Sequence, residues 1–85
     1  MESDRPPVYP AMARRRGEQG RVVLRVSVAA GGTPAQVAVG QSSGFPSLDD
    51  AAMDAVRQWR FVPATRDGQP VPAVAEVPIL FRLEN

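Results

Sequence analysis

Six carboxylates in the body of the chain could supply acid-base chemistry or bind a hard cation, and two adjacent serines could supply a hydroxyl nucleophile. The carboxylates are those of Glu18, Asp49, Asp50, Asp54, Asp67 and Glu76, and the serines are Ser42 and Ser43. The chain contains no histidine and no cysteine. Their absence excludes Ser-His-Asp and Cys-His nucleophile pairs, thiolate zinc sites and disulfides, and with them most catalytic schemes.

The positions of these polar residues favour structural roles. Asp49 and Asp50 fall in the first turn of a predicted helix, where negative side chains complement the helix dipole, and Asp67 belongs to an Asp-Gly turn. The Gly31-Gly32 and Ser43-Gly44 pairs lack the spacing and the lysine of a phosphate-binding loop. We therefore expect no catalytic residue, no metal site and no cofactor.

Size and charge exclude further classes of protein. The chain has 85 residues, enough for one domain, and its ten arginines against nine acidic residues leave a net charge of +1. This balance does not give the basic face that nucleic-acid binding needs. The run from Arg14 to Arg16 is interpreted as the solvated last turn of a short helix; the alternative, an arginine-driven binder of nucleic acid or anionic surfaces, predicts salt-sensitive affinity. No apolar stretch is long enough to insert in a membrane.

Helices are predicted in two places. Pro10 and Gly17 frame a short first helix. Ser47 and Asp50 resemble a capping box for a second helix that starts near Leu48. Its apolar stripe has intervals of four, four and three residues, formed by Leu48, Ala52, Val56 and Trp59.

Alternating apolar and polar residues predict three strands, over residues 21–28, 36–42 and 74–83. Gly31-Gly32 joins the first two as a hairpin, and residues 65–70 form an Asp-Gly turn in an exposed connection. Pro78 has no N–H to donate, which places the last strand at the edge of its sheet. The right-handed crossover rule then gives strand order 2-1-3.

The sequence thus predicts an α+β, two-layer domain in which both helices cover one face of a three-stranded antiparallel-type sheet. The predicted core consists of apolar residues on the inward faces of these elements: Leu24, Val26, Leu48, Ala52, Val56, Trp59, Phe61, Ile79 and Phe81. Residues 1–7, which end in Pro6-Pro7, are interpreted as the end of a linker, and residues 8–85 as the domain.

Several of these residues also carry a resemblance. Over about residues 7–83 the chain resembles the C-terminal domain of TonB, the periplasmic energy transducer of Gram-negative bacteria. The resemblance is carried by Tyr9-Pro10 with Ala13, Gly20 with the Val-x-Leu-x-Val-x-Val strand, Gly32, Ser42-Ser43-Gly44, Leu48-Asp49 with Ala52, Trp59-Arg60-Phe61-x-Pro63 and Pro78-Ile79-Leu80-Phe81. Each motif is weak alone, whereas their order and spacing together are a strong signal.

The resemblance implies a binding domain that is not an enzyme. Members of the family hold the TonB box, a short segment of an outer-membrane transporter, as a strand added beside the last strand. The implied partner-binding residues are Val74, Ala75, Glu76, Val77, Pro78, Ile79 and Leu80, preceded by Arg5, Tyr9 and Pro10. Where the best-known members carry a glutamine before the tyrosine, this chain has Pro6, so that contact is not carried over, and Arg5 is only a substitute for it.

The family also implies an inner-membrane anchor that meets an ExbB-ExbD motor, followed by a proline-rich linker; these residues contain no anchor and begin at the end of that linker. We therefore interpret the chain as a periplasmic fragment of such a transducer. Two alternatives remain open. One is a TonB-like or TolA-like envelope scaffold that binds another periplasmic or secretion component, and the other is a module that forms a homodimer by exchanging its last strand.

Overall fold

The structure, a computed structural model, describes residues 5–83; residues 1–4 of the predicted linker and residues 84–85 lie outside this range. Seven elements follow one another along the described part of the chain. They are α1 (Ala11–Arg15), β1 (Gly20–Val28), β2 (Pro34–Gln41), α2 (Pro46–Val56), β3 (Ala64–Arg66), β4 (Gln69–Val71) and β5 (Ala73–Phe81).

The main sheet has three antiparallel strands in the order β2-β1-β5, which confirms the predicted strand order and places β5 at an edge. β1 and β5 pair over their whole length without a register shift, from Gly20 opposite Phe81 to Val28 opposite Ala73. Pairing between β1 and β2 contains two irregularities, one at each end. The α+β architecture is as predicted.

One hydrophobic core lies between the sheet and the helices. All nine residues named above as core are buried there, together with Ala13 of α1, Val22, Val28 and Val77. Ala13 and the α2 residues Leu48, Ala52 and Val56 belong to this same core. Both helices therefore cover one face of the sheet.

The boundaries of α2 differ from the prediction at both ends. The helix begins at Pro46, behind an extended N-cap at Phe45, and no side chain within residues 5–83 caps it, so the predicted capping box was wrong. Ser47 instead donates a hydrogen bond to Glu18 at 2.9 Å. The helix ends at Val56, so Trp59 follows the helix and reaches the core from the connection behind it.

A second, two-stranded sheet occupies the connection behind α2, where the sequence predicted an exposed Asp-Gly turn but no strands. β3 and β4 pair as a hairpin, with Arg66 opposite Gln69. The predicted Asp-Gly turn joins them, and its two residues have positive φ, 53° at Asp67 and 78° at Gly68. Positive φ at both positions matches the right-handed twist of a hairpin.

The backbone of the turn between β1 and β2 lies very close to the backbone of the segment that follows α2. Phe61 donates its N–H to the carbonyl of Gly32 at 2.8 Å. A Cβ at residue 32 would lie only 2.3 Å from the Phe61 carbonyl oxygen, so only glycine allows this contact. Within residues 5–83, no helix is long and apolar enough to cross a membrane.

Candidate functional site

The candidate site is the outer edge of β5. Among the described residues, β5 pairs with β1 on one side only. Backbone N–H and C=O groups on the other side therefore face outward along an edge. An edge of this kind is a template onto which another extended chain can pair.

The orientation of the Val23 carbonyl decides which β5 residues present their backbone groups at this edge. The Val23 carbonyl points toward β2, because its oxygen lies beside Gly40 of that strand. The distance from this oxygen to the position of a Cβ on Gly40 is 3.3 Å. Val23 is paired with Pro78, and in an antiparallel ladder the two backbone groups of a residue point to the same side. Val23 and Pro78 are thus a non-hydrogen-bonded pair, and the backbone groups of Pro78 face outward.

The alternation of the strand extends this result to the neighbouring residues. Val74, Glu76 and Leu80 present their backbone N–H and C=O groups at the edge, while Pro78 presents only a C=O. The partner-binding residues named from the sequence therefore divide into two sets: Ala75, Val77 and Ile79 direct their backbone groups to β1 instead.

Side chains along β5 follow the same alternation. Val77 and Ile79 are buried in the core, whereas Val74 and Leu80 are 63% and 64% exposed on the opposite face. Glu76 lies 3.9 Å from Arg25 of β1, with both side chains mostly exposed, so this ion pair contributes little to stability. A strand added at the edge would therefore meet the apolar side chains of Val74 and Leu80 at the two ends and the charge of Glu76 between them.

The segment before α1, residues 5–10, is attached to the domain at two points, of which Tyr9 lies beside the end of β5. The Tyr9 ring packs edge-on against Phe81, with 5.3 Å between ring centroids, and its hydroxyl donates to the Glu18 carbonyl. Arg14 lies over the same ring at 4.9 Å. Tyr9 and Pro10 thus fix how the chain enters α1, close to the last residue of β5.

Arg5 is attached to the domain through its backbone. Its carbonyl accepts a hydrogen bond from the indole Nε1–H of Trp59 at 2.7 Å, while its side chain is exposed. The tie spans 54 residues of sequence. It therefore fixes the first described residue of the segment to the core.

Comparison with known proteins agrees with this architecture. The family model described as Gram-negative bacterial TonB protein C-terminal matches residues 5–83. The chain belongs to this family.

Among curated TonB proteins, the chain is 49% identical over 77 residues to the protein tonB2 of Pseudomonas aeruginosa and 46% identical over 78 residues to a TonB protein of Xanthomonas campestris. The alignments cover 91% and 92% of this chain but only 28% and 35% of those relatives. The chain thus spans about a third of the length of these TonB proteins.

Two solved TonB C-terminal domains share the fold. The solution structure of the Pseudomonas aeruginosa domain superposes with a TM-score of 0.80 at 32% identity, over 95% of this chain and 82% of that one. A Helicobacter pylori domain superposes with a TM-score of 0.71 over 93% of this chain and 71% of that one, and at 23% identity it supports the fold alone.

The TonB-like motif Ser42-Ser43-Gly44 has a structural role that sequence reasoning missed. Asp49 is buried, and its carboxylate accepts hydrogen bonds from the Ser42 hydroxyl at 2.5 Å, the Ser43 N–H at 2.9 Å and the Ser43 hydroxyl at 2.8 Å. These bonds join the end of β2 to the first turn of α2. The two serines and Asp49 all lay in the motifs that carried the resemblance, which was the only available signal.

The same contacts set the pKa of Asp49. Burial raises the pKa of this carboxyl, but the hydrogen bonds from Ser42 and Ser43 outweigh burial and hold it below its ordinary value. Because the pKa is lower in the folded chain than in the unfolded chain, the ionised carboxylate stabilises the fold above the unfolded pKa. That stabilisation is lost as the pH falls through the folded pKa.

We expect Asp49→Asn to lower the free energy of unfolding at pH 7 by about 1–3 kcal/mol, because an amide cannot accept all three hydrogen bonds. The difference from the parent should shrink as the pH falls below the ordinary aspartate pKa of about 3.9 and through the lower pKa of the folded Asp49 carboxyl. Urea unfolding at pH 7 and over a series of acidic pH values measures this. Asp50→Asn, at the exposed neighbouring position, is the matched control, and an equal loss at pH 7 in the two variants would refute the assigned role.

Proposed function

We propose that this domain is the periplasmic binding domain of a TonB-type energy transducer, which engages the TonB box of outer-membrane transporters by strand addition at β5. The single observation that carries the proposal is that, among the described residues, this nine-residue strand pairs on one side only. Membership of the TonB C-terminal family supports it. The domain acts by holding and pulling a partner, without catalysis and without a cofactor.

The chemistry of the edge suits this role. Val74, Glu76 and Leu80 each offer one backbone donor and one acceptor, and Pro78 adds an acceptor. Each hydrogen bond formed there is worth roughly 0.5–1.5 kcal/mol net, so several bonds together can hold a partner segment. Since backbone groups are common to all residues, alternate side chains of the added strand provide the specificity.

In the complete protein, the domain would follow a linker that crosses the periplasm from an inner-membrane anchor. An ExbB-ExbD motor at that anchor would supply the energy, and the transporter held at β5 would use it for substrate uptake. The contact of Tyr9 with Phe81, the last residue of β5, supports this arrangement, because the end of the linker then lies close to one end of the binding strand.

An amide NMR titration of the isotope-labelled domain tests the proposal. With a short peptide copied from a transporter's TonB box, we expect shifts along residues 74–83, largest for the outward amides of Val74, Glu76 and Leu80. A scrambled peptide of the same composition should cause none.

The absence of shifts with several such peptides, in a folded monomer, would overturn the proposal in favour of a TonB-like or TolA-like envelope scaffold. Light scattering run beside the titration identifies the remaining case. A dimer that does not respond would indicate that β5 is exchanged between two copies of the chain.

A further inference from the structure

Pro78 interrupts the edge at its middle. Between the outward groups of Glu76 and those of Leu80, roughly 13 Å along the strand, the edge offers the Pro78 carbonyl but no N–H donor. The ring carbon bonded to the proline nitrogen occupies the direction in which an amide hydrogen would point. A carbonyl of an added strand would meet carbon there instead of a donor.

The fold itself does not require this proline. Pro78 is exposed, and pairing of β5 with β1 continues through it without a register shift. Its side chain fills no part of the core, which Val77 and Ile79 enter on either side of it. Pro78 therefore affects hydrogen bonding at the outer edge of β5 and not the packing of the core.

A regular strand cannot pair along the whole of such an edge. Proline within sheets is confined to edge positions and bulges, because it removes one ladder hydrogen bond and its ring obstructs the neighbouring strand. A strand that is bulged or interrupted opposite Pro78 turns the affected carbonyl toward water and still pairs on both sides. Pairing of β5 with β5 of a second copy is weaker than pairing with a regular strand, because each of the two strands lacks an N–H at its own Pro78.

We propose that Pro78 is a specificity-determining residue of the edge: it admits a partner strand whose pairing is broken at that point and disfavours uninterrupted strands, including β5 of a second copy. This inference rests on the proposed function, since it assigns the shape of the partner strand at the same site. This role differs from general protection of the edge against any added strand. Pro78 blocks one position only and leaves the backbone groups on both sides of it available.

Replacement of Pro78 by alanine tests this directly, because alanine restores the donor and removes the ring. Two probes are titrated by NMR into the parent and into Pro78→Ala: a TonB-box peptide and an alternating Thr-Val peptide of the same length as β5. We expect Pro78→Ala to bind the alternating peptide about 3- to 10-fold more tightly than the parent, as one gained hydrogen bond implies. The TonB-box peptide should gain less than the alternating peptide does.

Self-association gives a second readout that needs no peptide. In sedimentation experiments, Pro78→Ala should associate more strongly than the parent. Pro70→Ala is the matched control, since it removes another exposed proline from the separate β3–β4 hairpin, and it should leave peptide binding and self-association unchanged.

Equal binding of the alternating peptide by the parent and Pro78→Ala, with equal self-association, would overturn the inference. An equal gain for both peptides would also overturn it, because the proline would then weaken binding without selecting. If the TonB-box peptide binds neither protein, the proposed function fails, while the alternating peptide and the sedimentation data still decide the role of Pro78.

Discussion

We expect Leu80→Pro to fold but to lose partner binding, and Ile79→Pro, one residue earlier, to fail to fold. Leu80 directs its N–H to the free edge, so a proline there leaves the ladder with β1 intact. Ile79 lies opposite Val22 and directs its N–H toward β1. A proline at this position removes a central hydrogen bond and a buried side chain, which costs about 3 kcal/mol or more out of the 5–15 kcal/mol that is typical of a domain.

Circular dichroism and thermal unfolding measure the folding of each variant, and titration with a TonB-box peptide measures binding. For Leu80→Pro we expect at least an approximately 10-fold loss of affinity, since a donor is lost and its place is obstructed. Leu80→Thr is the matched control, because it changes the exposed side chain and keeps the N–H. If Leu80→Pro bound like the parent, partner addition at this edge would be refuted.

The position of β5 was predictable because one residue carries a topological consequence. A proline in the middle of an alternating strand has no donor for a second neighbour, so Pro78 alone placed the strand at an edge. The missing N–H also implied that position 78 points away from its partner strand, but the other residues named as partner-binding were not divided into outward and inward sets. That assignment needed the pairing of Val23 with Pro78 and the side on which the Val23 carbonyl lies.

The elements that sequence reasoning missed depend on contacts between distant residues. β3 and β4 have three residues each, too few to produce a periodic pattern, and prolines surround them. Their Asp-Gly turn was recognised because positive φ has a local sequence signal. The strands beside it were not recognised, because their burial pattern is almost entirely exposed.

Trp59 and Asp49 illustrate opposite errors. Trp59 fits the helical spacing of Leu48, Ala52 and Val56, yet it follows the helix and reaches the same core from behind a turn at residues 57–58. The Phe61–Gly32 hydrogen bond holds the chain in place just after it. Asp49 lies off that apolar stripe and was interpreted only as a first-turn residue that complements the helix dipole. It is buried because Ser42 and Ser43 satisfy its carboxylate, and helical periodicity contains no information about such tertiary partners.

The second large effect is expected at Trp59, which is 7% exposed and packs at a tilt against Phe61, 6.3 Å between ring centroids. Trp59→Ala should lower the free energy of unfolding by about 3–5 kcal/mol, because it leaves a cavity in a small core, and should also release the Arg5 carbonyl. Trp59→Phe keeps an aromatic ring in the core and removes the indole donor, so its loss should be clearly smaller. Denaturant unfolding of both variants measures the difference. An unfolding midpoint for Trp59→Ala close to that of the parent, together with weakened peptide binding, would instead make Trp59 part of the binding site.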